Sequence, residues 1–161
     1  MKMKSNLAEN TEVSMEKIKM SSTKLGPIEY TENDIITLSA PLLGFPDLSD
    51  FLLISSDKSF PFLWFQATQD PDVCFILIEP KIFHPNYDPK INKRELKILG
   101  IEKDEQLKIA AIVVVPEDPK NATVNLRAPV LLNTEKKLAK QVILEDDRWM
   151  IKAPLFAAKD K

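Results

Sequence analysis

The sequence predicts a mostly-β protein: a small antiparallel β-barrel-like fold of about ten short strands with one or two short helices. Three observations carry that expectation. Apolar runs of strand length recur along the chain, separated by Pro, Asn or charged turns. Against 12 Pro there are only 3 Gly, so φ is fixed at many turns and strand ends while few positions are free to take φ > 0. No strand–helix–strand rhythm and no repeat of fixed period breaks the pattern.

Residues 1–14 are polar and aperiodic and read as a disordered tail. One domain is expected over residues 15–156, with 157–161 frayed. Glu16–Met20 alternates polar and apolar, as a half-buried strand does. Gly26-Pro27 turns into a strand at Ile28–Tyr30, and Asn33-Asp34 turns into another at Ile35–Leu38. Ser39–Leu48 is an apolar loop with Pro41 and Pro46 near its ends. It reads as a plug under the barrel mouth or as an exposed binding loop.

Phe51–Ile54 reads as a buried strand, and Phe60–Ala67 as the aromatic centre, where Phe62, Trp64 and Phe65 bury their rings. Val73–Ile78 is apolar without alternation, which fits a strand covered on both faces. Glu79–Pro89 is a Pro-rich loop. Asn92–Leu99 is the best helix: Asn92 is an N-cap, Glu95 completes a capping box, and Gly100 ends the run.

Leu107–Val115 is the next strand, and Pro116 and Pro119 bracket a turn at Glu117-Asp118. Thr123–Leu126, Val130–Asn133 and Leu138–Leu144 complete a meander. A charged turn at Glu145–Asp147 leads into an apolar strap, Arg148–Phe156.

Composition excludes several function classes. A single Cys forms no intrachain disulfide and fits the cytoplasm. No apolar run is long enough for a membrane span, and the N-terminus lacks the apolar core of a secretory signal. Net charge is −2, unevenly spread: +2 over residues 1–28, −8 over 29–89 and +4 over 90–161. An acidic central third argues against direct nucleic-acid binding there and favours a basic partner. Lys136, Lys137 and Lys140 read as a solvated hairpin end.

No enzyme chemistry converges. His84 is the only His and has no nucleophile motif beside it, and Cys74 sits in a buried apolar run. One His and one Cys do not make a zinc site, no Ca²⁺ loop surrounds Asp70/Asp72 or Glu145–Asp147, and no phosphate loop is present. No catalytic residue, metal or cofactor is expected.

Six linear motifs go further than composition. They are L-L-G-F-P-D-L (Leu42–Leu48), P-F-L-W-F-Q (Pro61–Gln66) and D-P-D-V-C-F-I-L-I-E-P (Asp70–Pro80), then V-P-E-D-P (Val115–Pro119), T-V-N-L-R-A-P-V-L-L-N (Thr123–Asn133) and K-Q-V-I-L (Lys140–Leu144). With these in order over residues 15–145, the chain resembles the bacterial flagellar assembly factor FliW family; residues 1–14 and the segment after Leu144 follow it least. The resemblance implies a small β-barrel-like fold and a non-enzymatic, cytoplasmic partner switch. Family members bind flagellin and the translational repressor CsrA; flagellin that accumulates occupies the factor and frees CsrA to repress flagellin mRNA.

Contact residues are expected in exposed loops: Phe83 and Tyr87 in the Pro-rich loop, Glu117 and Asp118 between the prolines. The alternative is that the aromatics cover the barrel end and the carboxylates cap turns. Asn125 matches the family motif; the alternative is that it holds a bulge or a backbone bond. From a different class, a small-ligand-binding barrel would have Phe62, Trp64 and Phe65 lining a cavity. An RNA-binding barrel and a hydrolase rank below both.

Overall fold

The computed structural model describes residues 15–156, so the expected tail at 1–14 and the frayed end at 157–161 lie outside the described residues. Strands run in the order β1 (Ile18–Ser22), β2 (Gly26–Tyr30), β3 (Ile35–Leu38), β4 (Asp50–Ile54), β5 (Leu63–Ala67) and β6 (Cys74–Ile78). Helix α1 (Lys93–Ile98) follows, then β7 (Lys108–Val114), β8 (Thr123–Val124), β9 (Val130–Asn133), β10 (Leu138–Gln141) and β11 (Ala153–Pro154). Four single-turn 3-10 helices fill connections, at Glu32–Asp34, Pro80–Ile82, Asp104–Gln106 and Pro119–Asn121.

Strands β3, β4, β5, β6, β7, β9 and β10 hydrogen-bond in a closed ring. Six of the seven contacts are antiparallel, while β10 runs parallel to β3, with Leu138 beside Thr37 and Ala139 beside Leu38. The sequence predicts only antiparallel pairs. The parallel one follows from parity, because strands that alternate up and down around a ring of odd number must meet once in the same direction.

The barrel has two cores. Inside, Phe51 and Phe65 stack at 4.4 Å, surrounded by Leu77, Val130 and Leu132. Outside, Ile78, Leu99, Val124, Leu131 and Leu155 form a second apolar layer beneath the loop that carries α1 and the C-terminal strap. Strand β7 serves both: Ala110 and Ile112 face inward, Ala111 and Val113 outward. A strand covered on both faces has no polar side to show, which is why these runs lack alternation. Burial of this kind contributes roughly 25 cal/mol per Å² of apolar surface.

The same alternation corrects one expectation. On β5 and the residue before it, Leu63 and Phe65 point inward while Phe62 packs in the outer layer and Trp64 lies beneath Lys24 of the β1–β2 turn. The three aromatics therefore do not line a common cavity. The β1–β2 hairpin lies outside the ring and is held at its turn. Buried Ser22 donates from Oγ to Gln66 Oε1 at 2.5 Å, and Thr23 Oγ1 bonds Asp72.

Strands β8 and β9 are one return strand broken in two. Val124 faces Val113, yet Val130 faces Ala110, so six steps on the return strand span three on β7. The surplus of three residues forms a large bulge, Asn125–Pro129. Asn125 shapes it: its Oδ1 accepts from Arg127 N at 3.2 Å and Ala128 N at 3.0 Å, while its own N–H donates to Ile112 O at 2.9 Å. The expected strand Thr123–Leu126 is cut short here. The expected strand Leu138–Leu144 ends as β10, but Val142 N and Leu144 N continue the pairing to Pro129 O and Arg127 O.

Helix α1 has the expected cap, with Asn92 Oδ1 accepting from Arg94 N at 2.8 Å. Glu95 does not complete a capping box; its carboxylate is turned to Lys140 Nζ at 2.6 Å, where two half-buried charges meet. Fully buried Asn133 ties the helix end to the β9–β10 turn, donating from Nδ2 to Leu99 O at 2.8 Å and accepting from Glu135 N and Lys136 N.

Phe51→Ala removes a ring from the inner stack and is expected to cost about 3–5 kcal/mol. Asn125→Ala leaves two bulge N–H groups without their acceptor and is expected to cost about 1–3 kcal/mol. Urea unfolding with an unchanged slope measures both; an Asn125→Ala midpoint equal to the parent would show that the bulge does not depend on this side chain.

A candidate protein-docking face at the open end of the barrel

Beyond the bulge, β7 and β8 extend past the rim of the ring. Their outer face stays covered, because Val113, Val124 and Ala153 are buried in the outer layer. Their inner face has lost the barrel interior that covers it lower down. It opens into a cleft of about 410 Å³ lined by Ile112, Val114, Thr123 and Asn125, with Leu43 and Ile151 as its side walls. Leu43, Val114 and Ile151 are 62%, 61% and 60% exposed. Exposed aliphatic side chains that converge on one concave face make it a candidate contact surface.

The cleft is firmly built. Gln141 accepts on Oε1 from Leu43 N at 3.1 Å and donates from Nε2 to Ala128 O at 3.1 Å, which ties the β3–β4 loop to the bulge. That loop takes both roles the sequence allowed. Leu42 is 3% exposed and plugs the barrel end with Leu48, while Leu43 stands out of it. A wall whose backbone is already fixed loses little freedom when a partner docks.

The five residues singled out by sequence separate into two groups. Asn125 lines the cleft. Glu117 and Asp118 are exposed and directly follow Pro116 of the same cleft; Asp118 Oδ1 also accepts from Lys120 N at 3.1 Å and so starts the Pro119–Asn121 turn. Phe83 and Tyr87 belong elsewhere. Half-buried Phe83 packs against Phe62 and Phe156 at centroid distances of 6.3 and 5.8 Å.

Tyr87, expected on the loop surface, is 2% exposed. Its ring meets Trp149 edge-on at 4.9 Å, and its hydroxyl donates to Leu126 O in the bulge at 2.7 Å. The tyrosine is a core residue because its hydroxyl has a carbonyl partner inside, the condition on which a Tyr buries. Burial pushes its phenol well above the usual range.

Sequence reasoning missed Val114, Gln141 and Ile151, and had Leu43 only within a loop that read as plug or binding loop. Val114 ends an apolar run whose other members are covered, and only the height of the barrel rim distinguishes it. The remaining reactive groups are structural. His84 Nε2 lies 2.8 Å from Pro154 O and donates to it, holding β11. Cys74 is half-buried, and its thiol is raised by that burial. No group of three or more metal-binding side chains occurs among the described residues, and none of their helices is long and apolar enough to cross a membrane.

A family model described as FliW protein matches residues 19–155. The chain belongs to the FliW family. It is 36% identical over 140 residues to the flagellar assembly factor FliW of Thermoanaerobacter pseudethanolicus, covering 86% of this chain and 93% of that one. To the flagellar assembly factor FliW of Symbiobacterium thermophilum it is 42% identical over 130 residues, covering 80% and 94%. A crystal structure of the flagellar assembly factor FliW superposes with a TM-score of 0.82 at 31% identity, covering 88% of this chain and 99% of that chain.

Adjacent leucines distinguish wall from plug. Leu42→Ala is expected to cost about 2–5 kcal/mol, and Leu43→Asp to stay within about 0.5 kcal/mol of the parent. Equal losses in urea unfolding would place both side chains in the core. A raised Tyr87 also has a pH signature. The unfolded phenol ionises near pH 10 while the folded one does not, so stability is intact below pH ~10 and falls as pH rises above it. Tyr87→Phe is expected to flatten that alkaline loss while lowering stability at neutral pH by about 1–2 kcal/mol, since Leu126 O loses its donor.

Proposed function

We propose that this flagellar assembly factor is a non-enzymatic, cytoplasmic binding protein whose open cleft docks protein partners, flagellin and the translational repressor CsrA. The observation that carries the reading is the cleft itself: three aliphatic side chains more than half exposed on a wall that the bulge and Gln141 hold in place. Glu117 and Asp118 follow Pro116 of the cleft while Lys120 and Lys152 lie in the same region, so its margin carries both signs of charge for polar contacts with a partner. What supports flagellin and CsrA as the partners is the resemblance to the family. If flagellin and CsrA compete for one face, each lowers the apparent affinity of the other by the factor 1 + [L]/Kd. Unassembled flagellin then releases CsrA to repress flagellin synthesis, and export of flagellin reverses it.

Calorimetric titration tests this. The protein is expected to bind flagellin and CsrA separately, and CsrA is expected to give no heat once flagellin saturates the protein. Leu43→Asp with Ile151→Asp is expected to weaken at least one partner by about tenfold or more, equivalent to 1.4 kcal/mol. The absence of binding to either partner sinks the reading. Unchanged affinities in the double variant move the contact away from the cleft.

A further inference from the structure

Helix α1 lies beside β10 and the segment that follows it, with Glu95 at Lys140 and Leu99 at the β9–β10 turn, and shows an outward face with its own chemistry. Lys93, Arg94 and Lys97 are all exposed. Lys93 and Lys97 stand one turn apart, as do Arg94 and Ile98, so the four share one side of the helix, with Cβ atoms about 6 Å apart within each pair. The only carboxylate of the helix, Glu95, is turned away and neutralised by Lys140. At the helix end Lys136 Nζ donates to Gly100 O at 3.0 Å and adds a fourth cation; Glu135 beside it accepts from Gln106 instead.

The placement of these cations is not explained by helix stability. Lys93 and Arg94 sit in the first turn, where the partial positive charge of the backbone disfavours cations. Neither makes an ion pair among the described residues. Local repulsion kept without a local gain points to a role outside the helix.

We infer that the outward face of α1 is a docking surface for an acidic polypeptide segment. The charge favours an anionic partner. Between Lys90 and Ile101 there is no aromatic residue on which a nucleobase would stack, which disfavours RNA. Ile98, 42% exposed, offers one apolar anchor beside the cations; that suits a side chain of a peptide but is too little to hold a membrane surface. None of Lys93, Arg94, Lys97 and Ile98 lines the cleft.

The test uses the full chain and a fluorescein-labelled Glu-rich peptide carrying a single Leu, followed by anisotropy at low salt. Binding is expected, and Lys93→Glu/Arg94→Glu/Lys97→Glu is expected to weaken it by about tenfold or more. An equal charge change at Lys19→Glu/Lys58→Glu/Lys120→Glu is expected to leave it within about twofold of the parent. Poly-U RNA and phosphatidylglycerol vesicles are expected to show no dependence on the α1 residues. Lys93→Gln/Lys97→Gln removes charge without reversing it and keeps the test open should the reversal disturb the helix. The inference is overturned if the peptide does not bind at low salt, if both charge reversals weaken it equally, or if RNA or vesicles depend on α1 more than the peptide does.

Discussion

The surplus of three residues between Val124 and Val130 is the constraint on which the rest of the molecule depends. A continuous return strand would give one edge of its backbone to β7 and the other to a single neighbouring strand, as β9 does between β7 and β10. The bulge turns its backbone groups toward their neighbours. Leu126 N donates to Met150 O of the strap, Leu126 O accepts from Tyr87, Arg127 O accepts from Leu144 N, and Ala128 O accepts from Gln141. Three segments, the strap, the Pro-rich loop and the stretch 141–144, thus converge on five residues, each satisfying a backbone group that burial would otherwise penalise. The outer core is assembled around these bonds.

The bulge also decides where the cleft lies. Below it, β7 is shared between two cores and every side chain is used. Above it, the return strand lies against β7 at a shifted register, and the ring cannot close around the extension. One face is kept by the outer layer and the other is left to solvent. The cleft is therefore a consequence of ring closure that stops short of the end of β7, and Asn125, which binds two N–H groups of the bulge, stands in its wall.

Much of this was legible in the sequence. Apolar runs without alternation announced strands covered on both faces, and Asn92 and Gly100 bounded the helix. Three features were not legible, each for a physical reason. The parallel β10–β3 pair depends on the parity of a ring whose membership no local signal states. Tyr87 shares its Pro-rich loop with exposed residues, and only the carbonyl of Leu126, far along the chain, gives its hydroxyl an interior partner. Of the candidate site, Asn125 and the Glu117-Asp118 turn were visible, whereas Leu43 and Val114 look identical in sequence to their buried neighbours Leu42 and Val113. Whether an aliphatic residue stands above or below a barrel rim is a property of the closed structure alone.

A binding face on such a base, as proposed above, has a thermodynamic consequence. Association costs the ordering of whatever is mobile, and the walls here are held by Gln141, by the bulge and by the plug residues Leu42 and Leu48 before any partner arrives. The ordering cost then falls mainly on the partner. A partner that already presents a fixed surface binds such a face with little loss, while a segment that must first become ordered binds more weakly for the same contact area. Two partners of those different kinds can therefore compete for one unchanging face, their ranking set by their own preorganisation and concentration. On the proposed reading no conformational change in the barrel is needed for the exchange, and the two-layered core would be the fixed point between the partners.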